Sequence, residues 1–325
     1  MKRVLLCGGA GYIGSHMAKM LAGHGHAVTV LDNLSTGHRS AVQWGTFIEA
    51  DLLDAAALDN VFGAARFDAV MHFSAYSLVD ESVRQPYRYY ENNVGGALNL
   101  LQAMQRHGVG QLVFSSTASV YGNPAAALID EDHAKAPINP YGMSKLMVER
   151  MLADAAAAYG LRSVALRYFN AAGASEAAEI GEAHQPETHL IPNVLKAVLG
   201  QGPGLKVFGA DYPTADGTCV RDYVHVEDLT QAHALALDYM ERHDGAHAFN
   251  LGSGQGFSVR EVIAAVEQVT GRQVPYEMAP RRAGDPVVLV ASNERAKREL
   301  GWQPKYNDLR SIIESAWRWH SDPKF

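Results

Sequence analysis

An apolar run, Arg3-Val-Leu-Leu-Cys7, leads directly into Gly8-Gly-Ala-Gly11-Tyr-Ile-Gly14, and a helical pattern continues to Leu21. Few features constrain a fold more. The first glycine permits a tight strand-to-helix turn, the second lets the backbone approach a pyrophosphate, and the third lets helix and strand pack closely. Free N–H groups at the helix N-terminus then face the phosphates. A glycine loop alone is weak evidence, but its place between a strand and a helix is what the mechanism requires.

The rest of the first half repeats the pattern. Strand signals at Ala27–Leu31, Thr46–Glu49, Ala69–Phe73, Gln111–Ser115 and Ser163–Arg167 alternate with helices, including 89–106 and 141–158. Such alternation predicts βαβ units and a parallel sheet. The fold class is therefore α/β: a doubly wound parallel-sheet Rossmann domain over residues 1–170. After Asn170 the texture becomes loop-rich, which predicts a smaller mixed α/β substrate-binding lobe over 171–325, with about 220–252 returning to the first domain. Helices are expected at 192–199, 226–240, from Ser258, and around Trp317 and Trp319, with strands at 205–208 and 248–251. Asp32 ends the second strand, where a carboxylate suits ribose hydroxyls and repels a 2′-phosphate, so NAD is favoured over NADP. Asp51, at the third strand's end, suits the adenine amino group.

Chemistry is signalled by Tyr141-Gly-Met-Ser-Lys145, which follows the strand end Ser115-Ser116-Thr117. Residues four apart share a helix face. A tyrosine titrates near pH 10, and a nearby positive charge favours its phenolate. Thr117 can hydrogen-bond the same substrate oxygen. Tyrosine and lysine at this spacing recur by chance, but their order after a glycine loop and a Ser-Ser-Thr strand end points to proton removal from an alcohol while a cofactor takes hydride.

Composition excludes other classes. The chain has 325 residues, 19% of them charged, and a net charge of −7 without a basic block, which argues against a nucleic acid partner. Cys7 and Cys219 make neither a disulfide framework nor a metal set. No run is long enough to span a membrane, and the apolar run before Cys7, Val4-Leu-Leu6, has only three residues, too few for a signal; a cytoplasmic protein is expected. Fourteen histidines invite a metal reading. Yet His24, His26, His243 and His247 fall in turns outside any His-Glu-x-x-His or Cys/His pattern, so solvated histidines and no metal are expected.

With these residues placed, the chain resembles the extended short-chain dehydrogenase/reductase superfamily, and within it the UDP-glucose 4-epimerase family, from end to end. The specific segments include Gly8–His16, Leu31-Asp-Asn-Leu34, His72-Phe-Ser-Ala75, Tyr89-Tyr-Glu-Asn-Asn93, Phe114–Gly122, Pro140–Glu149, Arg167-Tyr-Phe-Asn170, Asp216–His225 and Pro280–Asp285. The resemblance implies Thr117, Tyr141 and Lys145 as the catalytic set. It implies NAD held by Gly8, Gly11, Tyr12, Ile13, Gly14, Asp32, Asn33, Asp51, Leu52, Phe73, Asn92 and Phe169, together with Tyr141 and Lys145. It implies UDP-glucose or UDP-galactose held by Asn170, His189, Leu190, Val207, Arg221, Arg282 and Asp285, together with Thr117 and Tyr141. It also implies a homodimer.

Departures bear on specificity. Ser77 and His189 stand where some members carry lysine and asparagine, and Leu289 replaces a tyrosine found in narrow-specificity members. Related dehydratases follow their threonine with an Asp-Glu pair, and related decarboxylases carry glutamate where this chain has Ser119. Here Thr117 precedes Ala118 and Ser119, so oxidation and re-reduction at one carbon needs the fewest groups. Two alternatives stay open: a 4-epimerase of another UDP-sugar, N-acetylated or pentose, and a non-catalytic NAD-binding sensor, for which the Thr-Tyr-Lys set would be superfluous.

Overall fold

A computed structural model describes residues 1–325 except 125, 127 and 283–285. Seven parallel strands form one sheet in the order Ala246–Leu251, Arg162–Tyr168, Gln111–Thr117, Ala69–His72, Arg3–Cys7, Ala27–Asp32 and Thr46–Glu49. The order reverses between Arg3–Cys7 and Ala69–His72, and ligands of doubly wound sheets bind in the crevice outside such a reversal. This is the Rossmann arrangement read from the sequence.

Both faces are buried, which is why the strands read as unbroken apolar runs. Successive side chains alternate between two cores. Val4, Leu6, Val30, Met71 and Val164 join Met17, Leu21, Leu229 and Trp302 on one face. Leu5, Cys7, Leu31, Val70 and Phe114 join Phe62, Leu100, Met104 and Leu152 on the other. At the crevice, Gly8 has φ +80°, and a Cβ there would lie 2.5 Å from the Ser74 nitrogen. A Cβ on Gly14 would lie 2.2 Å from the Gly8 carbonyl oxygen, so helix Tyr12–Gly23 can start this close to the strand only without side chains.

Three departures from the sequence reading have physical causes. The Gln111–Thr117 strand runs two residues past Ser115, because Ser116 and Thr117 pair with Arg167 and Tyr168 and the buried Ser116 hydroxyl donates to Glu149 at 2.6 Å. The single helix expected over 89–106 widens into a π-turn at Tyr90–Gly95 before Gly96–Arg106; such turns occur frequently at functional sites. The helix expected from Pro192 begins at Leu190 with His189 as its N-cap residue. Proline is tolerated there because first-turn N–H groups have no intrahelical partner.

Beyond the large sheet, helices Leu190–Val198, Val259–Thr270 and Leu309–Ser321 enclose a third core containing Val194, Val207, Val262 and Ile313. A four-stranded sheet joins Phe257–Ser258, Val220–Arg221, Val288–Ala291 and Leu128–Ile129. No described helix is long and apolar enough to cross a membrane.

His24, His26, His243 and His247 are exposed or half-buried, while His16, His72, His225 and His233 are buried. Burial lowers His16 and His233 to about 4 and His72 to about 3. The unfolded chain therefore holds more protons than the folded one as pH falls below 6.5, and stability is lost down to the folded values. Denaturant unfolding at stepped pH should show stability falling from pH 6.5 towards 4. His233→Leu should flatten that slope by up to one proton, roughly 1.4 kcal/mol per pH unit.

Candidate active site

The crevice forms an open groove of about 590 Å³ lined by Gly8, Gly11, Leu31, Asp32, Asn33, Asp51, Leu52, Phe73 and Asn92, among others. Most of the residues read from the sequence as cofactor-binding thus share one surface. The Asp32 carboxylate accepts from Ala10 N at 2.9 Å and Leu34 N at 2.8 Å. Burial raises its pKa and these amides oppose the rise. Two oxygens offer about four acceptor sites, so it can still take ribose hydroxyls. Asp51 accepts from the Asn33 side-chain amide at 2.8 Å, which ties the ends of two strands together. A glycine loop, a strand-end carboxylate and a groove between them fit a dinucleotide. Tyr12 points elsewhere: its hydroxyl donates to the Gly173 carbonyl at 2.6 Å.

The π-turn sets the groove's far wall. Asn92 donates to Asn93 at 2.9 Å, and Asn93 bridges the Tyr76 backbone and the Ser144 hydroxyl at 3.0 Å. Ser144 lies on helix Pro140–Tyr159, which begins with Asn139 accepting from Gly142 N at 2.8 Å and Pro140 in its first turn.

That helix brings the three chemical residues together. Thr117 hydrogen-bonds the Tyr141 phenol. Lys145 is buried, its Nζ donating to the Ser115 carbonyl at 2.7 Å and lying 4.8 Å from the Phe114 ring centre. Burial lowers its pKa to about 7, opposed by Glu149. One expectation is corrected here. Lys145 does not depress the tyrosine in the protein alone: burial raises the phenol, and only the Thr117 hydrogen bond opposes it. The ammonium is spent on a carbonyl beneath the site.

Behind the trio runs a buried network that the sequence reading missed. Arg167 grips Glu149 with Nε–Oε1 at 2.9 Å and Nη2–Oε2 at 2.5 Å, and its Nη1 donates to the Tyr121 hydroxyl at 2.9 Å. Tyr121 donates on to Asn250 at 2.6 Å. The signal was present: Tyr141, Lys145 and Glu149 stand at i, i+4 and i+8 on one helix face, and Arg167 interrupts an apolar strand where a charge needs a partner.

The substrate candidates are more dispersed. Asn170 donates to the Asp222 carbonyl at 2.8 Å. Arg221 donates to the Val220 carbonyl at 2.8 Å, and the Arg282 guanidinium lies 3.9 Å from the Phe208 ring centre. Val207 is 1% exposed inside the third core, so its side chain is not presented to a ligand. His189 points its Nδ1 at Glu182, and Leu190 opens the following helix half-buried. Phe169 and Leu289 pack together against Val120, Tyr121 and Ile129. Asp285 lies outside the described residues.

Residues 4–252 match the model of the NAD dependent epimerase/dehydratase family. The chain belongs to this family. It is 50% identical over 320 residues to the UDP-glucose 4-epimerase of Lacticaseibacillus casei, covering 98% of this chain and 97% of the relative. The crystal structure of UDP-glucose 4-epimerase from Brucella ovis in complex with NAD superposes with a TM-score of 0.95 at 51% identity, covering 98% of both chains. The UDP-Glc/GlcNAc 4-epimerase of Campylobacter jejuni gives 0.87 at 42% identity, covering 99% of both. NAD is thus the cofactor of this epimerase/dehydratase family member, and the groove fits it.

The Glu149–Arg167 pair generates a test. Side-chain exposures of 10% and 4% leave little solvent screening. Glu149→Gln should cost about 3–5 kcal/mol, the usual loss when one partner of a buried pair is removed. Glu149→Leu combined with Arg167→Met should cost less than Glu149→Gln alone. Urea unfolding of the three proteins measures both differences.

Proposed function

We propose that this chain is a UDP-glucose 4-epimerase, interconverting UDP-glucose and UDP-galactose through a 4-keto sugar. The carrying observation is the hydrogen-bonded Thr117–Tyr141 pair with buried Lys145 one turn along, beside the dinucleotide groove. Relatives of that name at about half identity over nearly the whole chain support it.

NAD, when bound, supplies the acceptor and then the donor of the C4 hydride. Tyr141 takes the proton of the 4-hydroxyl and later returns it. Thr117 hydrogen-bonds the same oxygen, and Lys145 holds the nicotinamide ribose. Asn170, His189, Leu190, Arg221, Arg282 and Asp285 hold the UDP moiety, the arginines through charge-assisted bonds to the diphosphate. The sugar is held loosely so that its opposite face can turn towards the cofactor. The turn Ala118-Ser-Val-Tyr121 carries no carboxylate, which separates this reading from water elimination. From the family resemblance we place the working enzyme in the cytoplasm as a homodimer.

Incubating the purified protein with UDP-galactose and resolving the products tests the reading directly; recovery of unchanged substrate would leave a cofactor-binding sensor instead. Tyr141→Phe should retain NAD and lose roughly 10²–10⁴ in rate, as loss of a positioned base does. Near-normal turnover would remove Tyr141 from the reaction.

Leu289 carries the specificity reading. It packs, like Phe169, against the small core of Val120, Tyr121 and Ile129 in and beside the turn after Thr117, and it is smaller than tyrosine. Activity on UDP-N-acetylglucosamine is therefore expected beside that on UDP-glucose. Leu289→Tyr should lower kcat/KM for the acetamido sugar more than for UDP-glucose. An unchanged ratio would show that another wall sets the pocket.

A further inference from the structure

Four side chains outside the chemical trio converge in one loop. Glu182, His184, Glu187 and His189 each place a ligand atom within 4.8 Å of all the others. His184 Nδ1 lies 3.0 Å from Glu182 Oε1 and 4.0 Å from Glu187 Oε1. His189 Nδ1 contacts Glu182 directly and lies 3.9 Å from Glu187 Oε1. The carboxylates are inside, with side chains 2% and 3% exposed, and the imidazoles close the cluster from the solvent side at 33% and 46%.

Hydrogen bonds alone leave this cluster unsatisfied. Glu187 Oε1 accepts from the backbone N–H groups of Thr188 and His189 at 2.8 and 2.9 Å. Its other oxygen, Oε2, is buried and has no hydrogen-bond partner. Neither imidazole is within hydrogen-bond reach of Glu187. Two carboxylates can be neutralised by two imidazolium protons or by one divalent ion with neutral imidazoles. Only the ion serves all four residues, since ligands about 2.1 Å from a tetrahedral centre stand about 3.4 Å apart.

We propose that Glu182, His184, Glu187 and His189 bind one divalent transition-metal cation of the zinc class. Two imidazoles disfavour magnesium and calcium, which take oxygen ligands. Binding through His189 Nδ1 displaces any proton held there and leaves Nε2 for the UDP-sugar. The metal's role is structural. The Glu182 carbonyl accepts from Trp319 at 2.8 Å, the Ala183 carbonyl meets the His38 ring at 2.8 Å, and the His184 ring meets the Tyr12 edge at 6.2 Å. An ion here would pin the loop between the last helix and the glycine turn, and fix the start of helix Leu190–Val198.

The test uses the full-length protein without a histidine tag, stripped with chelator and titrated with zinc chloride. One tight equivalent per chain should remain through gel filtration by elemental analysis, and the melting temperature should rise with zinc and fall back with chelator. Even losing an outer partner of a metal ligand weakens such sites roughly 10–100-fold, so Glu187→Gln and the milder His184→Gln should each weaken binding at least that much. His24→Ala, at an exposed turn, should keep the equivalent. A wild-type protein that retains no zinc overturns the proposal. So does an equivalent whose affinity is the same in wild type and His184→Gln, because the ion then sits elsewhere. Should Glu187→Gln fail to fold, the wild-type stoichiometry and His184→Gln still decide.

Discussion

The site hangs on one buried ion pair. Glu149 lies two helical turns beyond Tyr141 and is gripped by Arg167 from a central strand, while Ser116, beside Thr117, donates to the same carboxylate. Three elements are thereby locked in one register: the strand end carrying Thr117, the helix carrying Tyr141 and Lys145, and the strand leading to Phe169 and Asn170. A buried pair is weak evidence for net stability, because desolvation opposes the Coulomb gain. Its value here is positional. Apolar residues of equal volume would fill the space, but they would not hold a phenol and a threonine hydroxyl within a hydrogen bond of each other.

The electrostatics of that arrangement run against ionisation. Burial raises the Tyr141 phenol and lowers Lys145 to about 7, so burial disfavours the charged form of each group. On the proposed reading, an oxidised nicotinamide would bring positive charge that favours the phenolate. Lys145 is held in place by the Ser115 carbonyl.

The fold was legible because its signals are local. Arg3–Cys7, Thr46–Glu49 and Leu205–Phe208 were bounded to the residue by their apolar pattern, and the glycine loop needs only short-range sterics. The catalytic trio was legible because its three members lie within 29 positions and share a strand end and a helix face. What stayed hidden depends on distant partners. Ser116 and Thr117 read as a strand's end until Arg167 and Tyr168 pair with them. Tyr90–Gly95 read as ordinary helix until Asn93 is seen bridging Tyr76 and Ser144. The buried histidines were not singled out because histidine patterning carries no burial signal of its own.

The second half of the chain shows why substrate choice is harder to read than chemistry. Leu289 stands opposite Arg221 in parallel register, so the proposed sugar wall and a proposed phosphate ligand ride on adjacent strands. Leu289 also packs against the small core of Val120, Tyr121 and Ile129, and the Tyr121 hydroxyl accepts from Arg167, the partner of Glu149. A change of volume at position 289 is thus one contact away from the network that sets Thr117 and Tyr141. Room for a larger sugar cannot be made by trimming an isolated surface side chain. On the proposed reading it is made at Leu289, whose packing is shared with the core around Tyr121, where leucine keeps the apolar contact while giving up the ring.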